Sequence, residues 1–231
     1  FCCLAVLLAA AFLPPSLQAE ESPGSFRDLL GESLDQWTTD KPGAWELKDG
    51  VLGTSDKPGG YIWSKDSFAD FELSLEYKTS EKCNSGVFFR TDPKNPVQGG
   101  FEIQIASPAQ YGGTQVGGSQ YEAKEPAEAA GKPNGEWNTL VLKVKGPMIQ
   151  VVLNGKTVQD VNIDDWTTAN QNPDGTKNKF KTALKDLPRT GHIGFQYHGH
   201  PVWFRKVLIK ALGYAGDRLR APQKSRRGNS M

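Results

Sequence analysis

Cysteine is nearly missing once the first residues are passed: from Glu20 onward only Cys83 remains, so no intramolecular disulfide can form there and stability must come from a hydrophobic core. A chain of 231 residues is long enough to bury one. Charge of one sign is equally scarce. With 27 basic and 26 acidic residues the formal net charge is +1, which leaves no global field to attract nucleic acid. Neither Cys-x-x-Cys nor His-Glu-x-x-His occurs, and His198-Gly199-His200 is a poor ligand set, so no metal or other cofactor is expected. Asp164, Asp165 and Asp174 could offer oxygens to calcium, but their irregular spacing favours solvated loop polarity. Gly112-Gly113 and Gly117-Gly118 neither follow a strand nor open a helix, which argues against a phosphate cradle.

Long apolar runs are absent except at the start. Residues 1–19 carry no charge, include Pro14-Pro15 and precede Glu20-Glu21, which reads as a secretory signal cut after Ala19. The expected location is secreted or periplasmic. The segment is too short for stable membrane insertion. It begins without Met or a basic region, so an N-terminally incomplete signal is expected. At the other end, residues 213–231 hold Arg218, Arg220, Lys224, Arg226 and Arg227 with no acid after Asp217, and read as a disordered basic tail. A single domain over residues 20–212 lies between, and nothing in it requires an oligomer.

What fills that domain is short strands and tight turns. Asp49-Gly50 and Asn154-Gly155 each sit between alternating segments, and both pairs suit two-residue hairpins whose turn positions need positive φ. Phe71 to Lys78 alternates apolar and polar residues, as does Thr139 to Lys145. Gly191 to Tyr197 and Trp203 to Leu212 add two more strands, and no convincing amphipathic helix competes. The expected fold is all-β, two antiparallel sheets packed face to face. Two long loops, Tyr111 to Gly135 and Asp164 to Arg189, are expected to rim a binding face.

Gly100-Phe101-Glu102-Ile103-Gln104-Ile105 places a carboxylate and an amide side by side, opposite an apolar row. Such a pair can hold a base against a sugar ring while amides bind its hydroxyls. Taken alone, it is better read as the solvated face of an edge strand. Its company changes the balance: in order come Gly31-Glu32-Ser33-Leu34-Asp35-Gln36-Trp37, Tyr61-Ile62-Trp63, Asp70-Phe71-Glu72-Leu73 and Asn84-Ser85-Gly86-Val87-Phe88-Phe89-Arg90. After the Glu102 strand follow Gly135-Glu136-Trp137-Asn138-Thr139, Val152-Leu153-Asn154-Gly155, Gly194-Phe195-Gln196-Tyr197-His198-Gly199 and Pro201-Val202-Trp203-Phe204-Arg205.

This ordered set resembles the 3-keto-disaccharide hydrolase domain family over about residues 26–212, nearly the whole chain after the expected signal. The resemblance implies a two-sheet jelly-roll sandwich of the concanavalin A-like lectin and glucanase type. It also implies a secreted or periplasmic enzyme acting on glycosides or oligosaccharides whose C3 hydroxyl has become a ketone. Family members often carry Asp where this chain has Tyr197, and Tyr197 shares its strand face with Ile193 and Phe195, so it is expected to pack inward.

A ketone at C3 acidifies the C2 hydrogen, so a base can remove it and expel the C1 substituent before water adds. That needs a base, a donor to the enolate oxygen and an acid for the leaving group. Facial alternation nominates Glu102 as base, His198 as acid or enolate partner and Arg90 as the group polarising the ketone. Gln104, Gln196 and Asn84 would bind hydroxyls, and Trp63, Trp137 and Trp203 offer rings to stack on a pyranose. Each has a plainer alternative. Arg90 could pair with Glu102, Asn84 could mark a turn, and most tryptophans of a sandwich fill its core. His192 reads as a satisfied strand histidine, His200 as a loop-mouth residue and Cys83 as a buried inert thiol. Two other functions stay open: a non-catalytic lectin-like carbohydrate-binding module, and a retaining glucanase. The latter needs two carboxylates about 5–5.5 Å apart, yet past Glu102 the strand offers only Gln104 and Ser107.

Overall fold

In the computed structural model of the chain, residues 24–55, 59–108 and 112–212 are described. The expected signal segment 1–19 and basic tail 213–231 lie outside them.

Among the described residues, alternation and turn chemistry produce thirteen strands: β1 (Arg27–Asp28), β2 (Trp37–Thr39), β3 (Trp45–Lys48), β4 (Val51–Thr54), β5 (Gly60–Phe68), β6 (Phe71–Thr79) and β7 (Asn84–Thr91) come first. Then follow β8 (Phe101–Ala106), β9 (Asn138–Lys145), β10 (Met148–Leu153), β11 (Lys156–Asn162), β12 (Gly191–Tyr197) and β13 (Val202–Ala211). The two foreseen hairpins close as the sequence demands. Asp49 and Gly50 take φ of 52° and 73°, Asn154 and Gly155 take 51° and 83°, and β3–β4 and β10–β11 pair across them.

The strands form two antiparallel sheets. One runs β11-β10-β9-β6-β13-β4-β3, with β1 also on β13, and the other runs β2-β5-β12-β7-β8. Because side chains alternate, each sheet turns one row inward. Leu73, Leu75, Leu142, Val144 and Phe204 of the larger sheet meet Ile62, Val87, Phe89, Ile103 and Phe195 of the smaller. Aromatic pairs stitch the layers: Phe195 stacks on Phe204 with centroids 4.2 Å apart, and Phe71 meets Phe89 edge-on at 6.2 Å. Tyr197 packs in this core beside Trp45, its hydroxyl donating to the Ser55 carbonyl.

Arg90 breaks the alternation and corrects the role expected for it. In the β7–β12 register, Phe89 and Arg90 together face the single residue Ile193, a bulge in which Arg90 takes φ of 49°. Its side chain leaves the outer face and is 0% exposed. Nε donates to the Ala69 carbonyl at 2.8 Å, Nη1 to the Gly146 carbonyl at 2.7 Å and Nη2 to Asp70 Oδ1 at 2.8 Å. The same Asp70 oxygen accepts from the Gly146 amide. Arg90 thus ties the smaller sheet to two turns of the structure around it, and its pairing partner is Asp70, not Glu102.

Replacing Arg90 by Met would leave Asp70 and two carbonyls short of a buried partner. Urea unfolding should show a loss of about 3–5 kcal/mol, the usual cost of breaking a buried pair from one side. A loss below about 1 kcal/mol, typical of a surface pair, would contradict the bridging role.

Candidate active site

The outer face of the smaller sheet gathers the polar residues that alternation pushed away from the core. Gly194 of β12 pairs with Trp63 on one side and Phe88 on the other, and Phe88 pairs with Glu102, which makes one row across four strands. One step along, Gln196 pairs with Tyr61 and Gly86 with Gln104. Glycine at two of these positions lets large neighbours lie down. A Cβ at Gly194 would sit 2.2 Å from the Trp63 ring, and one at Gly86 would sit 2.1 Å from Glu102 Oε1. The Glu102 side chain therefore leans over Gly86 into space that any other residue would fill.

This fit buries the carboxyl. Glu102 is 8% exposed, and among the described residues no group donates a hydrogen bond to its side chain. Burial pushes its pKa from 4.5 up to about 8; Lys179 pulls it down and Glu122 pushes it up. Gln104, 1% exposed, donates through Nε2 to Asn84 Oδ1 at 2.9 Å, while its own Oε1 has no partner among the described residues. Gln196 Nε2 donates to the Tyr61 hydroxyl at 3.0 Å. Tyr61 is half-buried, its ring stacked on Trp63 at 5.3 Å and edge-on to Phe88 at 5.4 Å. Burial, the largest influence, raises the Tyr61 pKa, so the hydroxyl accepts from Gln196 and keeps its own proton to donate.

Two loops complete the hollow. Segment 118–121 runs along β8, with Gly118 N donating to Gln104 O, Gln104 N to Ser119 O and Tyr121 N to Glu102 O. Tyr121 and Glu122 are thereby placed beside Glu102. From the second loop comes Lys179, with Nζ 3.8 Å from the centroid of the Tyr121 ring and 3.9 Å from Glu122 Oε1. Gln115 Nε2 holds Glu122 Oε1 from the other side at 2.9 Å.

Of the residues nominated from sequence, Glu102, Gln104, Gln196, Asn84 and Trp63 share this face. Trp63 is buried beneath Tyr61, so Tyr61 presents the accessible ring. Trp203 of β13 and Trp137, the residue before β9, lie against the other sheet and form a separate cluster, with Lys78 Nζ 5.1 Å from the Trp137 and 4.7 Å from the Trp203 ring centroid and Arg205 4.0 Å from that of Trp137. His198 is exposed past the end of β12. It follows Gln196 by two residues, and among the described residues it makes no hydrogen bond to Glu102. His192 contacts the Ser64 carbonyl through Nδ1 at 2.7 Å, a satisfied strand histidine. Cys83 is buried, with burial pushing its thiol up to about 12. Sequence reasoning missed Tyr61, which alternates with Trp63 and could have been found that way. It also missed Tyr121, Glu122 and Lys179, which no periodic pattern marks. Among the described residues no group of three or more His, Cys, Asp or Glu side chains is arranged to hold a metal.

The raised Glu102 pKa has a thermodynamic signature. Between pH 4.5 and about 8 the folded protein holds a proton that the unfolded chain has released, so this group makes stability fall as pH rises through that window. Glu102→Gln, which keeps the shape but cannot ionise, should melt with wild type at pH 4 and several degrees above it at pH 8.5. A melting difference that does not vary with pH would show that the carboxyl titrates normally.

The chain matches the family described as the 3-keto-alpha-glucoside-1,2-lyase-like domain over residues 25–210. A 3-keto-disaccharide hydrolase of Bacteroides thetaiotaomicron is 25% identical over 206 residues, covering 74% of this chain and 71% of that protein. A crystal structure from Parabacteroides distasonis, described as that of a "Putative glycosyl hydrolase", superposes with a TM-score of 0.76 at 33% identity, over 82% of this chain and all of that one. A Bacillus subtilis protein with a galectin-like fold superposes at 0.52 with 13% identity, over 83% of this chain and 97% of the other, a likeness of fold alone. The two antiparallel sheets thus form a concanavalin A-like jelly roll, and the chain belongs to the 3-keto-alpha-glucoside-1,2-lyase-like domain family.

Proposed function

We propose that the protein is an exported enzyme that cleaves 3-keto-disaccharides and other 3-keto-glycosides by elimination across C1 and C2 followed by addition of water. The reading is supported above all by Glu102, a carboxyl desolvated in a hollow lined by amides and a tyrosine. The name of the Bacteroides relative points to the same substrate class, and the uncharged segment 1–19 supports export.

Glu102 removes the C2 proton; the C–H electron pair becomes the C2=C3 double bond and the carbonyl pair moves onto the C3 oxygen as an enolate. Collapse of the enolate restores the ketone, forms C1=C2 and breaks the bond from C1 to the departing oxygen. That oxygen takes a proton from Tyr61, whose hydroxyl Gln196 orients. Water then adds its hydroxyl at C1 and gives its other proton to the Tyr61 oxygen as Glu102 returns the C2 proton, which completes a net hydrolysis and restores both residues. A carboxyl with a pKa near 8 is a stronger base than an ordinary glutamate, and it suits removal of a weakly acidic C–H proton. Gln104 and Asn84 would bind hydroxyls of the ring.

A second reading has a specific observation behind it. Glu122 supplies near Glu102 the second carboxylate that β8 lacks, and two carboxylates in unlike surroundings are the equipment of an ordinary glycosidase.

Incubating the protein with a 3-keto-disaccharide and with its unoxidised parent, followed by chromatography, separates the readings. Monosaccharide should appear from the keto form alone, and Glu102→Gln should lower that turnover by about a thousandfold or more, a loss in the range expected for a catalytic acid–base group. Hydrolysis of the parent sugar would favour the two-carboxylate glycosidase, and binding without release would favour a lectin-like module. For wild type, kcat/KM should rise with pH through a midpoint near 8, where Glu102 loses its proton.

A further inference from the structure

The elimination needs a positive group where the C3 oxygen becomes charged, and Arg90 cannot supply it. Its guanidinium is fully buried and committed to Asp70, Ala69 and Gly146. His198 stands exposed beyond the end of β12. Lys179 is the cation next to the carboxyl. We propose that Lys179 is a catalytic residue whose ammonium receives the C3 ketone oxygen of the substrate and holds it as the enolate forms.

Lys179 is fixed at both of its ends. The side-chain amide of Gln98 donates to the Lys179 carbonyl at 3.0 Å and accepts from the Lys181 amide at 2.9 Å, clamping residues 179–181 to the connection between β7 and β8. Its Nζ lies over the Tyr121 ring, so orientation comes from an aromatic face that takes none of its three donors. The carboxylate of Glu122 is 3.9 Å from Nζ, too far for a hydrogen bond. Among the described residues, Nζ donates no hydrogen bond, and the side chain is 35% exposed. The charge is therefore localised, oriented and still able to donate.

The plainer account is an ion pair with Glu122 that pins one loop to another. A partly exposed pair of that kind contributes little, and it would not explain why the ammonium sits beside the one desolvated carboxyl of the face. Bound to a neutral ketone, the ammonium gains little. Bound to an enolate it gains much more, so its effect belongs in the transition state and in kcat. The titratable groups facing it are Glu102, Glu122 and Tyr121, and removal of its charge should raise the Glu102 pKa further.

The inference rests on the Glu102 elimination reading, and the experiment keeps the two apart. Wild type, Lys179→Met, Lys179→Gln and Lys179→Arg are compared on a 3-keto-glucoside, with circular dichroism to confirm folding. Met and Gln should lower kcat about a hundredfold or more, the usual loss when one oxyanion donor is removed, with KM changed far less. Arg should recover part of the rate, and the midpoint of the kcat/KM pH profile should move above the wild-type value in the neutral variants. An active wild type whose folded Met and Gln variants keep kcat within threefold overturns the role of Lys179 alone. A wild type inert toward the 3-keto-glucoside overturns the elimination reading and this inference with it.

Discussion

The close seating of Glu102 over Gly86 governs the chemistry of the whole face. Only glycine leaves room for a carboxyl there, because a Cβ would stand 2.1 Å from Oε1. Lying flat against the strand, the carboxyl loses its water, and desolvation raises its affinity for a proton. The surroundings follow from that one fit. Phe88 stands beside it, Gln104 and Asn84 bond to each other instead of to it, and Lys179 is held nearby but not in contact with a partner oxygen. A residue that alternation alone would leave to solvent thereby becomes a desolvated carboxyl with a raised affinity for its proton.

The division of labour between strands and loops is clear in this fold. β5, β7, β8 and β12 provide the floor: Tyr61, Trp63, Phe88, Glu102, Gln104 and Gln196, fixed by ladder hydrogen bonds and by an aromatic stack. The loops provide Tyr121, Glu122 and Lys179, the groups whose charge or ring closes over that floor. Rigid elements hold a reacting group more accurately than loops do, which suits the role proposed for Glu102.

The sheets were legible in the sequence because a period of two is a strong signal and because Asp-Gly and Asn-Gly turns leave little choice of hairpin. Glu102, Gln104 and Gln196 came from the same alternation, and the pairing of their strands sets them on one face with Asn84. Arg90 escaped it: positive φ in a bulge reverses a side chain, and nothing about an arginine announces such a backbone. Trp137 and Trp203 failed for a different reason. A sandwich has two outward faces, and alternation says that a residue points out without saying from which sheet. Lys179, Tyr121 and Glu122 lie in irregular segments whose positions depend on distant partners such as Gln98 and Gln115. The burial of Glu102 was hidden for the same reason, since the loops that cover it carry no period.

Segment 118–121 does more than deliver Tyr121 to the hollow. Its three backbone hydrogen bonds occupy donors and acceptors along β8, the last strand of its sheet. Lifting that segment would break bonds of about 0.5–1.5 kcal/mol each and bare a row of peptide groups ready to accept a strand from another molecule. The wall beside Glu102 on this side is therefore a fixed one, and the same few residues that stand next to that carboxyl also shield the protein from edge-to-edge self-association.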